Sequence, residues 1–182
     1  MALTKKDKAV VARVFACLSA VVALVLLAAG AVLWNTGTAV TKQVSKSLAE
    51  EKVYFPPQGS PAFVPEAFPN LQQYAGQLVD DGPKVKAYAD DYLAKQIKQV
   101  GGGKTLSEVS AAAMMDPQNS ALQQQQQMMF QLGTSRSLLL GNGYGAWMQG
   151  EALKKVAVIA FAAAGILVIA TGWQVMRYKK LQ

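Results

Sequence analysis

Val14 to Trp34 reads VFACLSAVVALVLLAAGAVLW, and Val156 to Met176 reads VAVIAFAAAGILVIATGWQVM. Neither 21-residue run holds a charged side chain. At about 1.5 Å per residue each predicts a helix of roughly 31 Å, enough to cross a hydrocarbon core of about 30 Å. The competing reading, a buried helix of a soluble protein, needs apolar surface to wrap it. A chain of 182 residues leaves too little for two such helices. The expected fold is therefore an all-α membrane protein. It comprises a two-helix transmembrane hairpin, a small mainly helical extracytoplasmic domain and a proline-rich extended segment.

The charges outside the two runs set the expected orientation. Residues 1–13 carry a net +3, residues 35–153 a net −1 and residues 154–182 a net +5, which together make the overall +7. The basic excess thus flanks the spans, and the middle is balanced. That distribution predicts topology and argues against a nucleic-acid partner. Four basic residues (Lys5, Lys6, Lys8, Arg13) precede the first span, and three (Arg177, Lys179, Lys180) follow the second. The positive-inside rule then predicts cytoplasmic termini (1–13 and 177–182) in a plasma membrane, spans at 14–34 and 156–176, and an extracytoplasmic domain at 35–153. Trp34, Tyr144 and Trp147 would lie near the outer boundary, and Trp173 and Tyr178 near the inner one. The first run is long for a cleaved signal peptide, so a retained anchor is expected despite the small residues Ala28-Ala29-Gly30.

Composition narrows the chemistry. There is no histidine, which removes the usual general base and the commonest metal ligand. The single cysteine, Cys17, forbids an internal disulfide or a thiolate cluster. Neither span carries an ionisable group other than Cys17, so no relay or ion path is expected inside the membrane. Asp80-Asp81 and Asp90-Asp91 are adjacent pairs, and neighbours on a helix point apart, which disfavours a shared catalytic site. Gly101-Gly102-Gly103-Lys104-Thr105 lacks the first glycine of a phosphate loop and follows a helix rather than a strand. No enzyme and no cofactor are expected.

Between the spans, Val40, Val44 and Leu48 recur every four residues and predict that the first helix continues beyond Trp34. Val53-Tyr54-Phe55 reads as a short strand or an apolar anchor. Residues 55–70, FPPQGSPAFVPEAFPN, hold five prolines and predict an extended crossing, either a surface connector or a partner-binding strip centred on Pro57 and Phe63. A helix is predicted over Pro83–Val100, with Val85, Tyr88, Ala89, Tyr92, Leu93, Ile97 and Val100 on one face. Gly101 to Gly103 stop it. Thr105 and Glu108 have capping-box spacing before LSEVSAAAMM. Asn119 or Ser120 would cap a third helix running toward Gly133, whose Gln123 to Gln127 are expected to form a solvated face.

Small residues mark the expected contact faces. Gly141 and Gly145 have the spacing that lets helices approach, and Ala160 with Ala164 repeats it. Ala16, Ala20 and Ala23 form a comparable face on the first span. Tyr88 and Tyr92 would fill a core or touch a partner.

Phe68 to Asn119 (FPNLQQYAGQLVDDGPKVKAYADDYLAKQIKQVGGGKTLSEVSAAAMMDPQN) and Phe130 to Leu140 (FQLGTSRSLLL) resemble an actinobacterial family of small two-span membrane proteins of unknown function. The resemblance covers about a third of the chain. Such proteins are often labelled aromatic-ring-opening dioxygenases, but those enzymes hold iron through histidines, which this sequence lacks. In type, the chain also resembles the small accessory subunits of the actinobacterial respiratory supercomplex. The expectation is a non-catalytic accessory or assembly subunit, with the bilayer and other integral membrane subunits as its partners. The alternative is an extracytoplasmic protein that binds or senses a lipid or small ligand.

Overall fold

A computed structural model describes residues 5–179. Residues 1–4 and 180–182, and the side chains of the flanking Lys5, Lys6, Lys8, Arg177, Tyr178 and Lys179, lie outside what is described. Six α-helices make up most of the described chain: α1 (Lys5–Glu50), α2 (Gly82–Ala87), α3 (Ala94–Val100), α4 (Leu106–Met115), α5 (Ser120–Leu138) and α6 (Ala146–Lys179). Two π-helical segments, Tyr88–Leu93 and Leu139–Gly145, join α2 to α3 and α5 to α6. Two helices are long and apolar enough to cross a membrane, within Ala9–Glu50 and Ser120–Met176. The chain divides into two units, Met1–Ala39 with Gln149–Gln182, and Val40–Met148.

In the first unit α1 and α6 pack on a narrow seam. Ala23, Gly30 and Gly37 are buried on α1, and Gly150, Ala157 and Ala164 on α6. Both sets recur every seven residues, the repeat that keeps one stripe facing a partner helix in a left-handed pairing. The glycines permit the approach. A Cβ at Gly30 would lie 2.6 Å from the Phe161 ring, and one at Gly37 would lie 2.6 Å from the Gly150 carbonyl oxygen. These two contacts run in opposite senses along the helices, so the pair is antiparallel. Large side chains such as Leu18, Leu24, Val32, Ile159, Ile166 and Ile169 point outward.

The second unit is built on an aromatic core. Val44 and Leu48 from the end of α1 are buried with Phe55, Phe63 and Phe68 from the proline-rich segment, and with Leu71, Val79 and Val85. Phe55 stacks on Tyr74 with centroids 5.2 Å apart and meets Tyr88 edge-on at 5.1 Å. Phe63 stacks on Phe68 at 5.5 Å and meets Tyr92 at 5.8 Å. The segment is therefore not the extended crossing that its prolines predict. Pro61–Phe63 and Pro69–Tyr74 each form a 3-10 turn with proline in the first turn, where its missing N–H costs nothing. These turns aim the phenylalanines inward. Around Phe55, a single antiparallel bridge pairs Tyr54 with Leu78. Two backbone bonds flank it, Phe55 N–H to Gln77 O at 2.9 Å and Val79 N–H to Val53 O at 2.8 Å.

The helix ends follow local chemistry. Asp81 accepts from Lys84 N–H at 2.8 Å and caps α2. Thr105 and Glu108 close the capping box of α4, and Asn119 accepts from Leu122 N–H to cap α5. The helix that α5 begins does not stop near Gly133. It runs on through Leu139–Gly145 into α6, because Gly133 lies in helical backbone and no proline follows to end it. Nor are the five glutamines simply a solvated face. Gln123 donates to Ala113 O at 3.1 Å, Gln125 to Val100 O at 2.7 Å, and Gln126 to Ser110 Oγ at 3.0 Å. They bind α5 to α3 and α4, and Gln123 and Gln125 satisfy carbonyls that a helix terminus leaves without partners.

Candidate functional site

A groove of about 660 Å³ lies within the second unit. Its volume falls in the range of small-ligand sites, about 300–1,000 Å³. One wall is the end of α1 and the turn after it, where Gln43, Ser47 and Glu51 make a polar edge beside Val44 and Leu48. The other wall is α5 and its π-helical extension, contributing Leu132, Ser135, Leu138, Leu139 and Asn142. Tyr88 and Leu93, from the other π segment, close the floor. Both π-helical segments thus contribute to one groove, and such segments are frequent at functional sites. Gly143 holds the walls together, since a Cβ there would sit 3.3 Å from both Leu48 and Val85.

Electrostatically the groove is nearly neutral, with Glu51 the one ionisable carboxylate on its lining. Asp90, Lys86 and Arg136 are paired with one another. Asp90 accepts from Lys86 at 2.6 Å and from Arg136 at 2.8 Å. The Lys86 hydrogen bond, aided by Arg136 and opposed by burial, holds the Asp90 carboxyl below its ordinary value. Arg136 also donates from Nε to Ala89 O at 3.0 Å, tying α5 to the Tyr88–Leu93 segment. Burial raises the Tyr88 and Tyr92 hydroxyls above their ordinary value. Asp80 pairs with Lys84 at 2.7 Å and, through that hydrogen bond, raises the lysine. Each carboxylate of the two Asp-Asp pairs that has a partner in the structure serves a cap or an ion pair. Among the described residues no three His, Cys, Asp or Glu side chains group as metal ligands.

A second feature is exposed rather than concave. Met114, Met115, Met128 and Phe130, on α4 and α5, are 76%, 88%, 50% and 61% exposed. Sequence reasoning did not single them out, because a methionine pair at a helix end looks like core until its neighbours are known.

The residues expected at contact faces fall in several environments. Ala23 and Ala164 are buried in the α1–α6 seam, Ala16 and Ala160 are half-buried and Ala20 is exposed. Gly141 is exposed with open space around it, Gly145 is half-buried, and the buried glycine is Gly143 between them. Tyr88 and Tyr92 pack in the aromatic core, and Phe63 is fully buried there, leaving no ring surface for a partner. Pro57 is exposed. Tyr144 and Trp147 pack against the same core, and a side chain at Gly82 would strike the Trp147 indole. Gly30, Gly37, Gly150 and Ala157 belong to the seam as well. Their seven-residue recurrence is the signal that could have found them.

No family model matches the chain, and no curated protein or solved structure shows significant similarity to it.

Proposed function

We propose that the chain is a non-catalytic accessory or assembly subunit of a larger bacterial plasma-membrane complex. The observation that carries this reading is the exposed Met114, Met115, Met128 and Phe130 on α4 and α5. Large apolar side chains outside the spans mark docking surfaces, and flexible methionines suit an adaptable one. In this reading α1 and α6 form a transmembrane hairpin, both termini are cytoplasmic, and the Val40–Met148 unit lies on the extracytoplasmic side. The outward-facing side chains of the spans meet lipid and the helices of partner subunits. The actinobacterial respiratory cytochrome supercomplex is the candidate complex, by resemblance of type.

Extraction in mild detergent, followed by native mass spectrometry, tests the reading. A stoichiometric complex that Met114→Ser with Met115→Ser dissociates is expected. A lone monodisperse chain would sink it. Labelling of introduced cysteines in intact cells checks the sidedness: Gln118→Cys should react with a membrane-impermeant maleimide and Asp7→Cys should not.

The groove favours a second reading, in which the extracytoplasmic unit binds a lipid or small ligand. Its volume and mainly apolar lining suit that role.

A further inference from the structure

We infer that Met114 and Met115 are oxidation sites, where a peroxide converts the thioethers to sulfoxides and the oxidised pair no longer docks. The docking half of the inference rests on the accessory-subunit reading above.

Accessibility comes first. Met115 is 88% exposed and Met114 76%, whereas Met129, on the next helix, is 2% exposed. Within α4 the buried residues are Val109 and Ala113. At 3.6 residues per turn, Met114 and Met115 point about 100° and 200° away from Ala113, so both sulfurs stand clear of the core. The exposed stretch continues through Asp116, Pro117 and Gln118.

Chemistry follows from that position. A thioether lone pair attacks one peroxide oxygen, the O–O bond breaks, and the other oxygen leaves as water (for hydrogen peroxide). Sulfur loses two electrons, the peroxide gains them, and no further reactant is needed. The product is a polar side chain in place of a flexible apolar one. At Met114 and Met115 the new oxygen meets water, so the fold tolerates it. The capping box of α4 lies at the opposite end, and Asp116 N–H still bonds to Ala112 O at 3.1 Å. An apolar docking contact does not tolerate it, because burying the oxygen strips it of water. Met129 is the contrast. A Cβ on Gly101 would sit 2.8 Å from its methyl carbon, which leaves no room for an added oxygen, and its burial keeps peroxide away.

One test maps sulfoxide by peptide mass spectrometry on the full chain in phosphatidylcholine vesicles treated with hydrogen peroxide. Met114 and Met115 should oxidise about tenfold faster than Met129. Equal rates at the three would overturn the assignment. Met176 is 60% exposed but lies in the second apolar run, so lipid should slow it as burial slows Met129. Fast reaction there would count against the membrane reading and not against the pair.

A second test treats the mild-detergent extract with peroxide and follows the complex by native mass spectrometry. The partner-bound share should fall about tenfold. Met114→Leu with Met115→Leu keeps the apolar bulk without sulfur and should hold its partners through the same treatment. Partners lost from that variant too, or intact complexes carrying sulfoxide at both positions, would overturn the inference. So would a fall in melting temperature on oxidation, since the pair would then be part of the fold. A chain without partners before treatment would instead undo the accessory-subunit reading and the docking half with it, while the peptide map still decides the oxidation sites.

Discussion

Arg136 lies on α5 and Asp90 on the π-helical segment that follows α2, yet Nη2 of one sits 2.8 Å from Oδ1 of the other. The same guanidinium donates to Ala89 O, so one side chain fastens two elements 46 positions apart in sequence beside the groove. Both partners are partly exposed, which limits the pair to about 1 kcal/mol or less of coupling. A double-mutant cycle with Asp90→Asn and Arg136→Met, read by thermal melting in mild detergent, should return that value. Loss of either partner should also raise hydrogen exchange in Tyr88–Leu93.

Asp90 also predicts a pH dependence. Its carboxyl is held down first by Lys86 and then by Arg136, so its folded pKa lies below its unfolded one. A group of this kind stabilises the fold above its unfolded pKa of about 4 and loses that contribution as pH falls through the folded value. The melting-temperature gap between wild type and Asp90→Asn should therefore be constant down to about pH 5 and shrink below it. A gap that widens on acidification would contradict the assignment.

The α1–α6 seam has no room for added atoms at two glycines. Gly30→Leu or Gly37→Leu should destabilise the pair by about 1–3 kcal/mol, the usual cost of overpacking. Gly165→Ala and Gly172→Ala, with nothing within 4 Å of a Cβ, are the controls and should leave the melting temperature unchanged or slightly raised.

In the glutamine run the effect should alternate with the hydrogen bonds. Gln125→Ala and Gln126→Ala should each cost about 0.5–1.5 kcal/mol, since each removes a bond to another helix. Gln124 and Gln127 point outward, and their alanine variants should fall within about 0.5 kcal/mol of wild type. Chemical denaturation of the four variants separates these outcomes.

Phe63 offers the strongest test of the aromatic core. It is fully buried between Phe55, Phe68 and Tyr92. Phe63→Ala should cost about 3–5 kcal/mol and expose the proline-rich segment to protease. Pro57→Ala, at an exposed position, should not. If the two variants digest alike, the segment does not pack as described.

What the residues settle alone is what depends on near neighbours. The two apolar runs, the caps at Thr105–Glu108 and Asn119, and the glycine stop after Val100 rest on contacts within a few positions. A string of letters displays these directly. The pairing face of the spans is different. Those helices are apolar all round, so no hydrophobic stripe singles out Gly30 and Gly37 beside Ala23, and only the seven-residue recurrence hints at them. The five prolines excluded a regular helix, but local sterics do not say whether Phe55 and Phe63 face water or a core. Tertiary structure decided that by bringing Tyr74, Tyr88 and Tyr92 against them. The groove and the Asp90–Arg136 pair belong to the same class. Each is made where segments distant in sequence meet, and burial and partnership at such places are properties of the packed molecule.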